Sequence, residues 1–385
     1  MRLPIYMDNH ATTPVDPRVL ETMMPFLREE FGNAASSSHA YGWHAKEAVN
    51  KARRQLAELA GVQPEEMIFT SGATESNNLA LLGVAFDQNT TRKQIVTQAT
   101  EHSAVLDTCE FLAKRGFETT ILPVDQDGLV SAETLREVVS EKTALVSIMH
   151  GNNEIGAIQD ITRLAQIAHE VGALFHSDVV QTFGKIPLNL GEMDVDLASL
   201  TAHKMYGPKG IGAFYMRKSH AVHLAPILHG GGQERGCRSG TLNVPGIVAF
   251  GTAAHLAQEE FASGHLDDLA ALRDRLWEGM RDNIKGIHIN GHPEKRVPGN
   301  LNIRIDGIDA PALMLSMHNV AVSGGSACDS HDNAPSHVLT AIGCTPEQAQ
   351  SSVRFGVGRF NTEEEIDFVL AEFCREVKKQ QNSLL

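Results

Sequence analysis

The stretch "SLTAHKMYGPKGIGAFYMRK", residues 199–218, places an amine, Lys204, between two apolar runs. The first run has the continuity of a buried strand; a glycine-punctuated turn follows it, and a second apolar strand leaves the turn. A solvated lysine needs no such setting. An amine that must form a Schiff base gains from a partly desolvated pocket that favours its neutral form. The stretch therefore predicts a reactive lysine at the end of a buried strand.

Outward from it, between residues 60 and 220, short apolar runs alternate with helix-period segments. "EMIFTSG", "QIVTQAT", "FETTILPV", "TALVSIMH", "ALFHSDVV", "VDLASL" and "GAFYMRK" read as strands, and "ESNNLALLGVAF", "SAVLDTCEFLAKRG" and "ITRLAQIAHEVG" as crossover helices. This alternation predicts an α/β architecture with a mostly parallel sheet flanked by helices. From about 250 the pattern changes to one long helical stretch, 251–284, followed by "GNLNIRI", "AVSGG" and "SSVRFGVG" as strands, with "APALMLSMHN" and "EEEIDFVLAEFCREVKKQ" as helices. The expected division is a large domain over 15–258 and a smaller α+β domain from 1–14 and 259–385.

A chain of 385 residues suits a large domain with a satellite. Its formal net charge of -14 argues against a basic, phosphate-tracking surface, so no direct nucleic-acid partner is expected. The opening "MRLPIYMDNHATTP" has no apolar core of signal-peptide length, and no later run would span a bilayer. A cytoplasmic protein without a membrane partner is the expectation. The five cysteines include no CxxC pair and indicate neither a disulfide framework nor a cysteine-rich metal site.

Two features upstream of Lys204 fit a phosphate-bearing pyridine cofactor, pyridoxal 5'-phosphate. "FTSGATESNN", 69–78, is a strand passing through a glycine turn into a helix, which offers backbone N–H groups and a positive dipole end to a phosphate at Ala73 and Thr74, with the Thr74 hydroxyl added. Taken alone, it is an ordinary helix start. Asp178 ends a near-continuous apolar strand in "LFHSDVVQTFGK"; a buried carboxylate needs a charged partner, and a protonated pyridine nitrogen would be one. In isolation a structural ion pair or helix cap explains it equally well. Phosphate turn, strand-end Asp and strand-end Lys in that order are far more specific than any one of them.

Beyond these, "DNHATTPVDPRV", "FGNAAS", "TEHSAVLDTC", "VSIMHGNNEIG", "AHKMYGPKGIGA", "HGGGQERGCRSGTLNVPGIV", "GSAC" and "SVRFGVGRF" make the chain, over about residues 6–360, resemble the cysteine desulfurases of the NifS/IscS type. These lie in the class V aminotransferase-like branch of fold-type I pyridoxal-phosphate enzymes. The resemblance implies that Lys204 holds the cofactor and shuttles a proton, with His203 in support. It also implies that Asp178 pairs with the pyridine nitrogen, Gln181 bonds the ring's phenolate oxygen, and His102 stacks on the ring and moves protons. Thr74 and Thr201 would bind the phosphate from one subunit and Thr241 from the other, which implies a homodimer with shared active sites. Asn153 and Arg354 would orient L-cysteine, Arg354 through its α-carboxylate.

Cys328 lies in "SGGSACDSHDNAPSHVL", a polar segment between a strand and a helix, where a thiolate is the right nucleophile for sulfur. By the resemblance it takes sulfur from the substrate as a persulfide. An iron–sulfur scaffold protein or a tRNA-thiolation enzyme then accepts the sulfur. Asp329, His331 and Asp332 flank this cysteine where the family commonly carries a neutral Thr after it, and the chain ends at "KKQQNSLL" without the longer tail of housekeeping members. Rival chemistries on the same cofactor are a cysteine or cystine lyase and an aminotransferase, neither of which needs a nucleophilic thiol. A catalytically inert docking protein would not need Lys204, Asp178, Gln181 and His102 together. The "HGGG" at 229–232 raises a serine hydrolase, but no GxSxG elbow accompanies it.

Overall fold

The structure, a computed structural model, describes residues 2–219, 222–324 and 335–383. Seven strands form its main sheet: β1 (Met67–Thr70), β2 (Gln94–Gln98), β3 (Glu118–Leu122), β4 (Thr143–Ser147), β5 (Leu174–Asp178), β6 (Leu197–Thr201) and β7 (Gly212–Met216). Their order is β1-β7-β6-β5-β4-β2-β3. All run in one direction except β7, which is antiparallel to both β6 and β1. The seven correspond to the seven runs read from sequence.

Successive residues of a strand point to opposite faces, and the buried side chains sort accordingly. Met67 and Phe69 of β1 and Ala213 and Tyr215 of β7 join one apolar cluster, while Ile68 and Phe214 join another. The first cluster is closed by α1 (Pro17–Arg28), α2 (Ala40–Ala60), helices 132–138 and 161–170, and α3 (Val244–Ser263). The second is closed by helices 73–85 and 103–113. Burial on both faces explains why these strands are apolar without alternation. Gly212 lets β1 and β7 close up under the first turn, since a side chain there would strike the backbone of Gly72.

A third cluster gathers Ile5 and Met7 with residues between Leu276 and Val377. It packs around an antiparallel sheet of β8 (Ile287–Ile289), β9 (Asn300–Ile305) and β10 (Ser352–Gly356), with β9 in the middle. The long helical stretch expected over 251–284 is two helices, α3 and His265–Asn283, because Gly264 takes a left-handed φ of 81° between them. The N-terminal segment links the two parts of the chain. Ile5–Tyr6 pairs in parallel with Val320–Ala321, Asp8 bridges to Gly356, and Thr13 N–H donates to the His203 carbonyl at 2.9 Å. Among the described residues no helix is long and apolar enough to cross a membrane.

Beneath the main sheet, His169 is held between two carboxylates, with Nδ1 3.0 Å from Asp194 and Nε2 2.7 Å from Asp196. The Asp196 hydrogen bond raises its pKa above the usual histidine value. A group whose folded pKa is raised contributes stability that is complete below its unfolded value, about 6.5, and is lost as pH rises through the folded value. We expect the melting temperature to fall across that window, and His169→Gln to flatten the dependence. Parallel melts of the two proteins from about pH 6 to pH 9 check it, and identical curves would exclude the role.

Candidate active site

The carboxyl ends of the parallel strands open into a cavity of about 440 Å³, within the usual range for small-molecule sites. Most of its chemical groups follow strand ends of the main sheet, where an open α/β sheet places ligands. Leaving β1, the chain turns through Ser71 and Gly72 into the helix Ala73–Ala85, which begins without a side-chain cap. Ala73 and Thr74 line the cavity at that uncapped end, where the first-turn N–H groups and the helix dipole favour an anion. Thr201, the last residue of β6, lines it too, as do His203 and Lys204 in the single 3-10 turn that follows.

Lys204 Nζ donates to the carbonyls of His10 and Ala11, both at 2.6 Å. His203 Nδ1 lies 3.1 Å from Thr12 Oγ1, and burial, followed by the positive charge of Lys204, pushes its pKa down to about 4. The ring is therefore neutral at pH 7.

Asp178 ends β5 and is 5% exposed. Its Oδ2 accepts from Asn77 Nδ2 at 2.7 Å and its Oδ1 from Val180 N–H at 3.0 Å. No cation pairs with it among the described residues, so its buried carboxyl group faces the cavity with hydrogen-bond donors alone. Gln181, one turn further on, lines the same wall.

His102 caps the helix Ser103–Ala113, its Nδ1 accepting from Ala104 N–H at 3.0 Å. That bond fixes the tautomer: with the Nδ1 lone pair engaged, the neutral ring carries its proton on Nε2. Next to it, Glu101 is fully buried, with one oxygen accepting from Met149 N–H at 2.5 Å and the other unpartnered. Burial drives its pKa well above the usual carboxylate range.

Arg354, in the middle of β10, is 1% exposed and reaches across to the cavity. Its Nη2 donates to Asp8 Oδ1 at 2.8 Å and its Nη1 to the Asn153 carbonyl at 2.9 Å, while Nε has no partner. Asn153 also lines the cavity. Asp8 was not assigned a role from sequence, although it stands in "DNHATTP"; 346 residues separate it from Arg354, and only the fold joins them.

Thr241 does not line this cavity; it is exposed in the loop before α3. That loop is tied to the first turn of the helix Ala73–Ala85 through Arg238, whose Nε donates to Glu75 Oε1 at 2.8 Å. Cys328, together with Asp329, His331 and Asp332, lies outside the described residues. Near the cavity, Ser336 Oγ donates to Glu154 Oε2 at 2.6 Å and His337 Nε2 donates to the Glu101 carbonyl at 2.9 Å.

A mostly parallel seven-stranded sheet with a lysine turn and a buried acid at its carboxyl edge is the fold-type I architecture of pyridoxal-phosphate-dependent transferases. The chain belongs to the class-V aminotransferase family, whose model matches residues 5–369, and within it to the cysteine desulfurases. It is 51% identical over 379 residues to "Cysteine desulfurase IscS" of Anaeromyxobacter sp. (strain Fw109-5), an alignment that covers 98% of this chain and 94% of that protein. Among solved structures, a "NIFS-LIKE PROTEIN" superposes with a TM-score of 0.90 at 41% identity, covering 98% of this chain and all of the other. "SspA in complex with cysteine" superposes with a TM-score of 0.82 at 36% identity, covering 93% and 99%.

The family's cofactor, pyridoxal phosphate, fits what lines the cavity. The uncapped helix end suits its phosphate, the unpaired Asp178 carboxylate its pyridinium nitrogen, and the Lys204 amine its aldehyde.

Proposed function

We propose that this chain is a pyridoxal-phosphate-dependent cysteine desulfurase that converts L-cysteine to L-alanine and passes the sulfur, through a persulfide on Cys328, to an acceptor protein serving iron–sulfur cluster assembly or tRNA thiolation. The observation that carries it is the convergence of Lys204, Asp178 and the uncapped helix end on one cavity, in a chain half identical to cysteine desulfurases.

Ala73, Thr74 and Thr201 hold the phosphate, Asp178 the pyridine nitrogen and Gln181 the phenolate oxygen, while Lys204 anchors the cofactor. When bound, the cofactor supplies an electron sink that stabilises negative charge at the substrate Cα. Arg354, held in place by Asp8, takes the α-carboxylate of L-cysteine, and the Asn153 side chain orients it. Lys204 Nζ moves the Cα proton. His102 lays its ring over the cofactor and exchanges protons only through Nε2, since Nδ1 is committed to the helix cap. His203, kept neutral by burial, supports Lys204 without adding charge.

The Cys328 thiolate attacks the substrate sulfur. The Cβ–S bond of the substrate breaks, its sulfur joins Cys328 Sγ as a persulfide, and the carbon skeleton leaves with a proton in place of sulfur as L-alanine. No external oxidant is needed, because the electron pair of the Cβ–S bond stays on Cβ and takes up the proton, so the carbon is reduced by two electrons as the two sulfurs are oxidised to the persulfide. The exposure of Thr241 away from its own cavity supports a homodimer in which each copy completes the other's phosphate site.

Cys328→Ser separates the two halves of the reaction. The variant is expected to bind cofactor and L-cysteine as the unaltered protein does, yet to form no persulfide and lose alanine turnover by at least about 100-fold. Alanine output at the unaltered rate would exclude Cys328 as the nucleophile.

A further inference from the structure

Lys185 takes no part in the chemistry just described, yet it stands directly behind Gln181. Its half-buried amine donates to Gln181 Oε1 at 2.9 Å, and His10 Nδ1 donates to the same oxygen at 3.0 Å. On the other side, Gln181 Nε2 donates to the His10 carbonyl at 3.0 Å, the carbonyl that also accepts from Lys204 Nζ. The His10 carbonyl has no hydrogen to give, so the amide atom facing it is Nε2, and Oε1 is the atom that accepts from Lys185 and His10 Nδ1. Nε2, with a second hydrogen to give, is the atom left to serve an acceptor in the cavity.

We propose that Lys185 is a positioning residue for the cofactor. By holding Gln181 Oε1 it makes Gln181 present N–H rather than C=O to the cofactor's phenolate oxygen, and it polarises that N–H. The proposal rests on the pyridoxal-phosphate reading of the site.

The surroundings suit the role. Lys204 and Arg354 face Lys185 from the turn after β6 and from β10; burial and then their positive charges push the Lys185 pKa well below the usual lysine range. The amine donates to Oε1 whether protonated or neutral. His10, from the N-terminal segment, is held neutral by burial and then by Lys185. Of the acids nearby, Glu260 shares a small cavity with Lys185 but is paired with Arg359, and Asp178 is bonded by Asn77. Neither draws Lys185 away from the amide.

The test uses the full chain stripped of cofactor and titrated with pyridoxal phosphate. Lys185→Met is expected to raise the dissociation constant about ten-fold, the worth of one hydrogen bond to a charged group, and to move the pH midpoint of the bound cofactor's visible band upward. In a Gln181→Met background the same substitution should change neither quantity by more than about two-fold, because the intermediary is gone. Replacing this half-buried amine by Met should not lower the melting temperature of the cofactor-free protein; if that variant fails to fold, Lys185→Arg replaces it, and retention of the unaltered midpoint is then expected. An unchanged constant and midpoint in Lys185→Met, an equal effect in the Gln181→Met background, or a shifted midpoint in Lys185→Arg would overturn the proposal. Failure of the unaltered chain to take up pyridoxal phosphate would instead overturn the cofactor reading beneath it.

Discussion

Lys204→Ala is expected to lower alanine formation from L-cysteine by about 10³-fold or more, because on the proposed function one side chain would serve both as the cofactor's anchor and as the group that moves the Cα proton. The turn after β6 sets this amine at the mouth of the cavity, held by two backbone carbonyls. Two other lysines stand close. Lys209 lines the cavity, and Lys185 bonds the Gln181 side chain. Borohydride reduction of the cofactor-loaded protein followed by peptide mapping distinguishes the three. The label is expected on Lys204 in the unaltered chain and nowhere in the variant. Label on Lys185 or Lys209 in the unaltered chain would show that the anchor is misassigned.

The largest expected effect on stability belongs to Glu234, far from the reacting atoms. Its carboxylate is 7% exposed, and its backbone sits at a positive φ of 45°. Oε1 accepts from Arg53 Nη2 at 2.7 Å, and Oε2 accepts from Arg53 Nη1 and from Phe69 N–H, each at 2.8 Å. The bidentate pair thus ties the loop before α3 to α2, and the Phe69 bond ties it to β1 at the edge of the sheet. Glu234→Ala would remove the carboxylate from the Arg53 guanidinium, leaving it only the Met67 carbonyl at 2.6 Å, and would take away the Phe69 N–H's side-chain acceptor. Breaking a buried pair in this way costs about 3–5 kcal/mol, which lowers the melting temperature of a chain this long by about 5 °C. Glu234→Gln, which keeps one acceptor, should lose less. Denaturant melts of both variants check this; an alanine variant as stable as the unaltered chain would mean that the loop is held by other contacts.

How much of this was legible beforehand follows from the range of each interaction. The seven strands were readable because helices cover both faces of the sheet, which makes each strand an uninterrupted apolar run. Their spatial order was not, since no residue in β1 records that its neighbour is β7, some 140 residues later. The helices α1 and α2 escaped notice. Pro25 lies inside the first, and the stripe that the second buries, Ala45, Val49, Ala52 and Leu56, is half alanine and stands out weakly among its Lys, Arg and Glu residues. The break at Gly264 was visible as a residue but not as a left-handed conformation.

In the site, Lys204, Asp178 and the phosphate turn stood out because each ends a recognisable strand. Asp8, His10 and Lys185 did not. Asp8 holds Arg354 across the whole chain, and the amide of Gln181 is oriented by His10 from 171 residues away and by Lys185 from the next turn. Such partners are chosen by the fold, and a one-dimensional pattern carries no trace of them. Glu101 likewise gives no sign in sequence that it is fully buried with an unpartnered oxygen.

The central claim is that sulfur leaves L-cysteine as a group transferred to the enzyme, with alanine as the carbon product. The most direct measurement incubates the cofactor-loaded chain with L-cysteine and a thiol reductant, and quantifies alanine, sulfide and pyruvate in the same sample. The account predicts alanine and sulfide in equal amounts and no pyruvate. Pyruvate and ammonia in place of alanine would contradict it and assign the chain a lyase reaction.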